Sequence, residues 1–247
     1  MTTALKQFNI VRILFTKTIL NENTITIILK YYWDTLPKKY KHLNWIPLNN
    51  LNWYYLSENE NAIHLLENNL DKIDWNLLSK NINAIPILKN NLDKVNWISL
   101  SLNCNAITIL ENNLDKIYWK NLSENINAIH ILQNNLDKID WNWLSENSNA
   151  ISILENNFDK INWKYLSKNP KAISILKNNL DKINWKCLSK NTNAIHLLEQ
   201  NQDKIDWDNL SENINAIPIL KNNKHKINWK TISRNPSIFK IEHMPII

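Results

Sequence analysis

Glycine is absent from all 247 residues. That absence argues against P-loops, dinucleotide fingerprints and strand-to-helix nucleophile elbows, whose backbones need glycine for close approach or positive φ. Asparagine is the next residue most tolerant of left-handed backbone, so it is expected to take over the turns. Cysteine is scarce: Cys104 and Cys187 stand at different points of a repeat in distant copies. A disulfide between them is not expected, and a reducing compartment is. No apolar run reaches the length of a membrane span. The patch Ile10 to Leu20 is interrupted by Arg12 and Lys17, with no small-residue cleavage site after it. The expectation is a cytoplasmic protein without membrane contact.

Excess charge is also missing where a nucleic-acid binder would carry it. The formal balance is +6, but residues 53–228 hold 19 basic and 20 acidic side chains. Residues 1–52 carry seven Lys/Arg against Glu22 and Asp34, and 229–247 carry Lys230, Arg234 and Lys240 against Glu242. Only the ends are basic, whereas a phosphate footprint is expected along the array itself.

What the chain has is a strict period. Trp53, Trp75, Trp97, Trp119, Trp141, Trp163, Trp185, Trp207 and Trp229 are spaced 22 residues apart, without insertion or deletion. Such a period marks a repeat array in which each unit contacts its neighbours. With tryptophan as position 1, apolar residues recur at 4, 10, 11, 13, 14, 18 and 21. Positions 10, 11, 13, 14 and 18 follow one helical face, and positions 1 and 4 form a shorter stripe. Asp or Asn usually precedes the tryptophan, as in Asp74, Asn96 and Asp140, and suits an N-cap. Asn recurs at position 7 in all nine copies, followed by Pro170 or Pro236 in two, the pattern of a cap and first helical residue. Pro86 and Pro218 at position 12 imply a second helix starting near position 9 there. Each unit thus reads as a helix of about one and a half turns, a tight turn and a second helix of about two to three turns. Neither could stand alone at that length.

A leucine-rich β-solenoid can share this period and the L-x-x-N fragment. It needs apolar residues at positions 2 and 9, and here both fail: position 2 is mixed and position 9 is nearly always Asn. Residues 1–52 depart from the repeat. Ala4 to Leu20 reads as helix, Thr24 to Trp33 as helix or strand, and Pro37 with its lysines as a turn, while Trp45 to Leu51 reads as a degenerate half-unit. A cap is required because the first copy would otherwise expose its apolar flank.

The phrase W-x-x-L-S-x-N-x-N-A-I-x-I/L-L-x-x-N-x-D-K-I, with its lead-in L-N-W-I-P-L-N-N-L-N-W-Y-Y-L-S, is similar to that of tandem-repeat proteins encoded by giant DNA viruses of amoebae. The resemblance implies a helical array organised like ankyrin-type arrays, in host cytoplasm or a virion, with no activity or ligand to carry over. The ankyrin phrase T-P-L-H-x-A is absent.

The Asp-Lys ladder at positions 19 and 20 (Asp71/Lys72 to Asp203/Lys204) reads as a phosphate rail or, preferably, as paired charges solvating a turn. Position 15 (Glu67, Lys89, Glu111, Gln133, Glu155, Lys177, Glu199, Lys221) is expected to pair between neighbouring copies. His64, His130 and His196 share position 12 three copies apart, roughly 30 Å by the pitch of stacked helical repeats. They cannot share one metal ion, and duplication of a three-copy block explains them better. Nearly every Ser, His and Asp occupies a recurring slot, so no catalytic constellation stands out. Position 3 varies most and lies about 200° from the tryptophan on the first helix, so it is expected to be exposed. Tyr55, Leu77, Trp143 and Tyr165 there, with Tyr54 and Ile98 at position 2, form a candidate partner-binding row or are chance variation.

The expected architecture is all-α, an α-solenoid of about nine 22-residue helix-turn-helix repeats. It comprises a divergent N-terminal capping segment (1–52), eight full copies (53–228) and a truncated ninth copy with a C-terminal cap (229–247). The expected function is a non-enzymatic scaffold for protein–protein interaction, with no cofactor or metal and a partner the sequence does not identify. The alternative is a nucleic-acid-binding array reading one nucleotide per copy, for which the array lacks charge.

Overall fold

The computed structural model describes residues 42–239. The chain forms two compact units, Met1–Ile46 and Pro47–Ile247. Little of the first is described: the Ile46 amide donates to the Leu43 carbonyl and Trp45 is exposed. The expectations for Ala4 to Leu20, Thr24 to Trp33, Pro37 and Lys240 lie outside the described residues.

The described part of the second unit holds seventeen short α-helices and no strand, the α-solenoid that the repeat pattern predicts. Every copy opens with a helix at its tryptophan, from Trp53–Glu58 and Trp75–Lys80 to Trp207–Glu212 and Trp229–Ile232. Position 22 sets that start by capping. Asp74 accepts from the Leu77 amide and Asn96 from the Ser99 amide, both at 2.9 Å. Tyr118 has no side-chain cap to offer the Trp119 helix.

The second helix begins at position 11 in every full copy, as in Ile85–Lys89, Ile107–Glu111 and Ile129–Gln133. It is shorter than its apolar spacing suggests, and the reason is the asparagine at position 17. Its Nδ2 donates to the position-13 carbonyl (Asn113 to Ile109, Asn135 to Ile131, 2.8 Å), the acceptor that its own amide would use in a longer helix. The amide turns instead to position 14, as Asn113 does to Leu110. The chain then tightens into a 3₁₀ turn over positions 18–20 in several copies, among them Leu114–Lys116 and Leu136–Lys138. Position 18 therefore leaves the helical face assigned to it, and Leu114, Leu136, Phe158 and Leu180 are exposed. Pro86 and Pro218 lie in the first turn of helices starting at Ile85 and Ile217, later than expected, where a missing N–H costs little.

Asparagine does not serve the turns by left-handed backbone. No residue among those described has positive φ, which corrects that expectation; Asn113, for example, has φ −143°. Its contribution comes from the side chain. At position 7, Oδ1 accepts the amide two residues on (Asn147 from Asn149, 3.0 Å), closing the turn between the two helices. Nδ2 of the same group reaches back to the preceding copy. Asn147 donates to the Ser123 carbonyl at 3.0 Å and the Asn125 carbonyl at 3.2 Å. The pattern repeats at Asn103, Asn125, Asn169, Asn191, Asn213 and Asn235, all buried. Serine at position 5 closes each copy on itself. Ser123 Oγ donates to the Trp119 carbonyl at 2.8 Å and accepts the Asp140 amide at 3.0 Å.

Around this polar spine runs one continuous apolar core. Leucines at positions 4 and 14 and alanine at position 10 are essentially inaccessible through the middle copies, with position 13 and the position-21 Ile or Val beside them. First helices of successive copies pack side by side from Trp53–Glu58 through Trp163–Leu166, and again between Trp207–Glu212 and Trp229–Ile232. The degenerate half-unit takes its register from Leu48 and not from Trp45. The 3₁₀ turn Leu48–Asn50 occupies the place that Leu70 to Lys72 hold one period later.

The spine makes a sharp expectation. Asn147→Ala leaves the buried Ser123 carbonyl without a donor, while the Asn125 carbonyl keeps the Ala128 amide, and should cost about 1–3 kcal/mol. Asn59→Ala, at an exposed position of the first copy, should cost less than about 1 kcal/mol. Equal shifts of the two urea midpoints would refute the spine.

Candidate interaction face

With the core filled by positions 4, 10, 13, 14 and 21, variation between copies falls outside those positions, and part of it lies on the outer side of the first helices. Positions 2, 3 and 6 of that helix make the face, and the side-by-side packing of copies decides which of them reach solvent. The candidate row divides accordingly. Tyr54, Tyr55 and Ile98 are exposed, with the tyrosine rings edge to face at 5.2 Å. Trp143 and Tyr165 are half-buried and tilted against each other at 5.8 Å. Leu77 is buried at 8% exposure, and Ser99 at the same position is buried too, which corrects the expectation that position 3 is open.

The correction has a physical cause outside any single helix. Position 3 lies against position 2 of the preceding copy. Ser99 Oγ donates to Asn76 Oδ1 at 2.7 Å, Asn121 Nδ2 to the Ile98 carbonyl at 2.9 Å and Asn209 Nδ2 to the Lys186 carbonyl at 3.0 Å. A rotation of about 200° from the tryptophan points away from the copy's own core and into its neighbour. Tyr55, in the first copy, has no earlier copy of the repeat before it and is the most open of the row.

The repeat tryptophans from Trp53 to Trp207 are half-buried and Trp229 is exposed, and in most copies lysine adds to the cover. Lys72 lies 4.9 Å from the ring centre of Trp53, Lys138 4.8 Å from Trp119 and Lys226 4.7 Å from Trp207, the position-20 amine in each case. Most copies repeat this contact, each worth about 0.5–1 kcal/mol. Lys160 departs from it and pairs with Asp159 at 3.4 Å. Neither earlier reading of the ladder describes this. The amines neither form a free rail nor chiefly pair with adjacent aspartates; they sit on indoles.

Ion pairing between copies falls at position 6. Lys168 donates to Glu146 at 3.0 Å, while Lys190 and Arg234 reach Glu212 at 2.9 and 3.3 Å. Position 15 does not pair with position 15 of a neighbouring copy among the described residues; Glu111 bonds instead with His130, at position 12 of the next copy. Bonding to Lys190, with its charge and that of Arg234, holds the Glu212 carboxyl below the usual range. Burial works against the Lys168 ammonium, but the hydrogen bond and charge of Glu146 outweigh it and its pKa is raised.

Both cysteines are free thiols, and no group of three or more His, Cys, Asp or Glu among the described residues is placed to hold a metal ion. No described helix is long and apolar enough to cross a membrane. Comparison of the chain with protein-family models, with curated proteins and with solved structures finds no match.

The Glu212 pair can be checked by titration. A lowered folded pKa gives stability that is full above the unfolded value and is lost as pH falls through the folded one. Lys190→Ala should therefore raise the Glu212 carboxyl pKa followed by NMR. An unchanged titration would mean the pair does not persist in solution.

Proposed function

We propose that this chain is a non-enzymatic helical-repeat scaffold for protein–protein interaction. The observation behind the proposal is the division of labour within each copy. Core and spine positions are nearly invariant, while positions 2, 3 and 6 of the first helix change from copy to copy. A stacking array needs its interior to repeat but places no such demand on its outer face, so a varied face is where partner specificity can reside. Exposed Tyr54, Tyr55 and Ile98 have the residue types of interface anchors. The recurring serines also favour a non-catalytic role, since each position-5 hydroxyl holds backbone groups at both ends of its copy. The proposed setting is cytoplasmic, in the host cell or virion of a giant virus if the resemblance of the repeat phrase reflects kinship.

Capture by the full chain from nuclease-treated lysate, followed by affinity measurement with the purified protein captured, tests this. Binding is expected to survive nuclease and to weaken about 30-fold or more when Tyr54, Tyr55 and Ile98 are all changed to alanine, as for loss of an interface hot spot. Binding abolished by nuclease would refute the proposal and favour the nucleic-acid alternative.

A further inference from the structure

Positions 2 and 6 of a first helix are one turn apart on the same side, so each copy presents them as a pair. Elsewhere the pair is Asn76 with Lys80, Lys120 with Glu124 or Asn142 with Glu146, apolar at Ile98 with Leu102, and basic again at Lys230 with Arg234 in the truncated ninth copy. The Trp163 and Trp185 copies are different. Both positions are lysine in both copies, giving Lys164, Lys168, Lys186 and Lys190. These two helices belong to successive copies, and the four side chains line one open groove of about 530 Å³ that also holds Cys187 and Asn209. No carboxylate lines it.

The arrangement works against the array's own stability. Like charges on neighbouring helices repel, and the copies on either side show the pairing that relieves this. Lys168 turns outward to Glu146 and Lys190 to Glu212. Lys164 and Lys186 enter no ion pair among the described residues. In an array of 19 basic and 20 acidic residues this is a local excess of positive charge with no internal use.

Two features say what would neutralise it. The next copy carries Asp208 and Glu212 at the same two positions, so the basic stretch ends after two copies. A continuing phosphate chain would meet those carboxylates, whereas a short segment would not. The neighbouring aromatics are also poorly placed to stack bases. Trp143 and Tyr165 lean on each other, Lys120 lies 5.8 Å from the ring centre of Trp143, and Lys168 lies 4.7 Å from that of Tyr165. Two copies at a pitch of roughly 10 Å span about six residues of extended peptide. We propose that the groove between the Trp163 and Trp185 helices binds a short acidic segment of a partner protein, with Asp or Glu carboxylates on Lys164 and Lys186. This rests on the scaffold reading and names the chemistry of one partner.

The probe is a fluorescent hexaglutamate peptide, blocked at both ends, added to the full chain at low salt and followed by anisotropy. Alkylation of Cys187 is followed in parallel, with Cys104 as the internal control. The peptide should bind, slow alkylation of Cys187 and leave Cys104 unaffected. Lys164→Glu with Lys186→Glu should weaken binding about tenfold or more. Lys89→Glu with Lys221→Glu makes the same charge change at exposed sites outside the groove and should leave binding nearly intact. Circular dichroism verifies that both variants fold, and Lys164→Gln with Lys186→Gln replaces the reversal should it fail to fold. Equal loss in both pairs would overturn the site in favour of diffuse attraction. Protection of Cys187 by hexathymidylate but not by hexaglutamate would overturn the peptide in favour of nucleic acid. Absence of hexaglutamate binding would also overturn it while leaving the scaffold reading standing, because that reading is tested on Tyr54, Tyr55 and Ile98.

Discussion

The buried carboxamide at position 7 is the contact on which the rest of the array depends. A helix of one and a half turns is too short to persist alone, and the cost of nucleating it must be met by its neighbours. Apolar stacking supplies most of that free energy but is not directional: leucine against leucine permits sliding. The carboxamide removes that freedom. Its oxygen fixes the turn of its own copy, and its nitrogen fixes two carbonyls of the preceding one, as at Asn147. One inserted residue between tryptophans would move the donor off both acceptors and leave the position-5 carbonyl buried and unpaired, the position-7 carbonyl keeping only the amide of its own copy's alanine. The strict spacing from Trp53 to Trp229 is what such a constraint requires.

The spine also accounts for the absence of glycine. Tight turns commonly need positive φ because backbone groups must find partners at short range. Here side chains provide those partners. Position 7 accepts from the amide two residues on, position 5 accepts from position 22, and position 17 donates to position 13. The main chain then passes through every described turn with negative φ. Asparagine abundance is therefore structural in this fold, beyond what base composition alone would produce.

The parts legible in the sequence were those determined within a copy. The helix start at each tryptophan follows from the capping residue just before it, and the core leucines from their spacing. Most of the parts that were not legible involve partners one copy away or at opposite ends of the same copy. Position 3 looks exposed on a helical wheel, but what covers Leu77 and Ser99 belongs to the previous copy. The lysine at position 20 stands beside aspartate in the chain and beside the copy's tryptophan in space, 19 residues away in Lys138 and Trp119. The apolar residue at position 18 continues the second helix on paper, but the position-17 side chain ends that helix first. The exposure of the candidate row of Tyr54, Tyr55, Leu77, Ile98, Trp143 and Tyr165 was thus partly readable: helix geometry gives the side of the first helix on which it lies, and only the neighbouring copies determine which of its members are open.

Charge follows the same logic. Summed over the array it nearly vanishes, and a sum cannot reveal a local excess. The position-6 partners show how the excess is normally removed, since a lysine and a glutamate one copy apart meet at 3.0 Å or less. Those pairs are partly or largely exposed, and each contributes little to stability, so selection for stability alone has weak hold on the signs at this position. Where two successive copies carry lysine at positions 2 and 6, Glu146 and Glu212 still compensate the position-6 lysines, while Lys164 and Lys186 at position 2 enter no ion pair among the described residues. A random surface would produce single departures more readily than a coincident set of four around one groove. The proposed acidic partner segment therefore rests on the two adjacent position-2 lysines, Lys164 and Lys186, that neighbouring copies leave uncompensated.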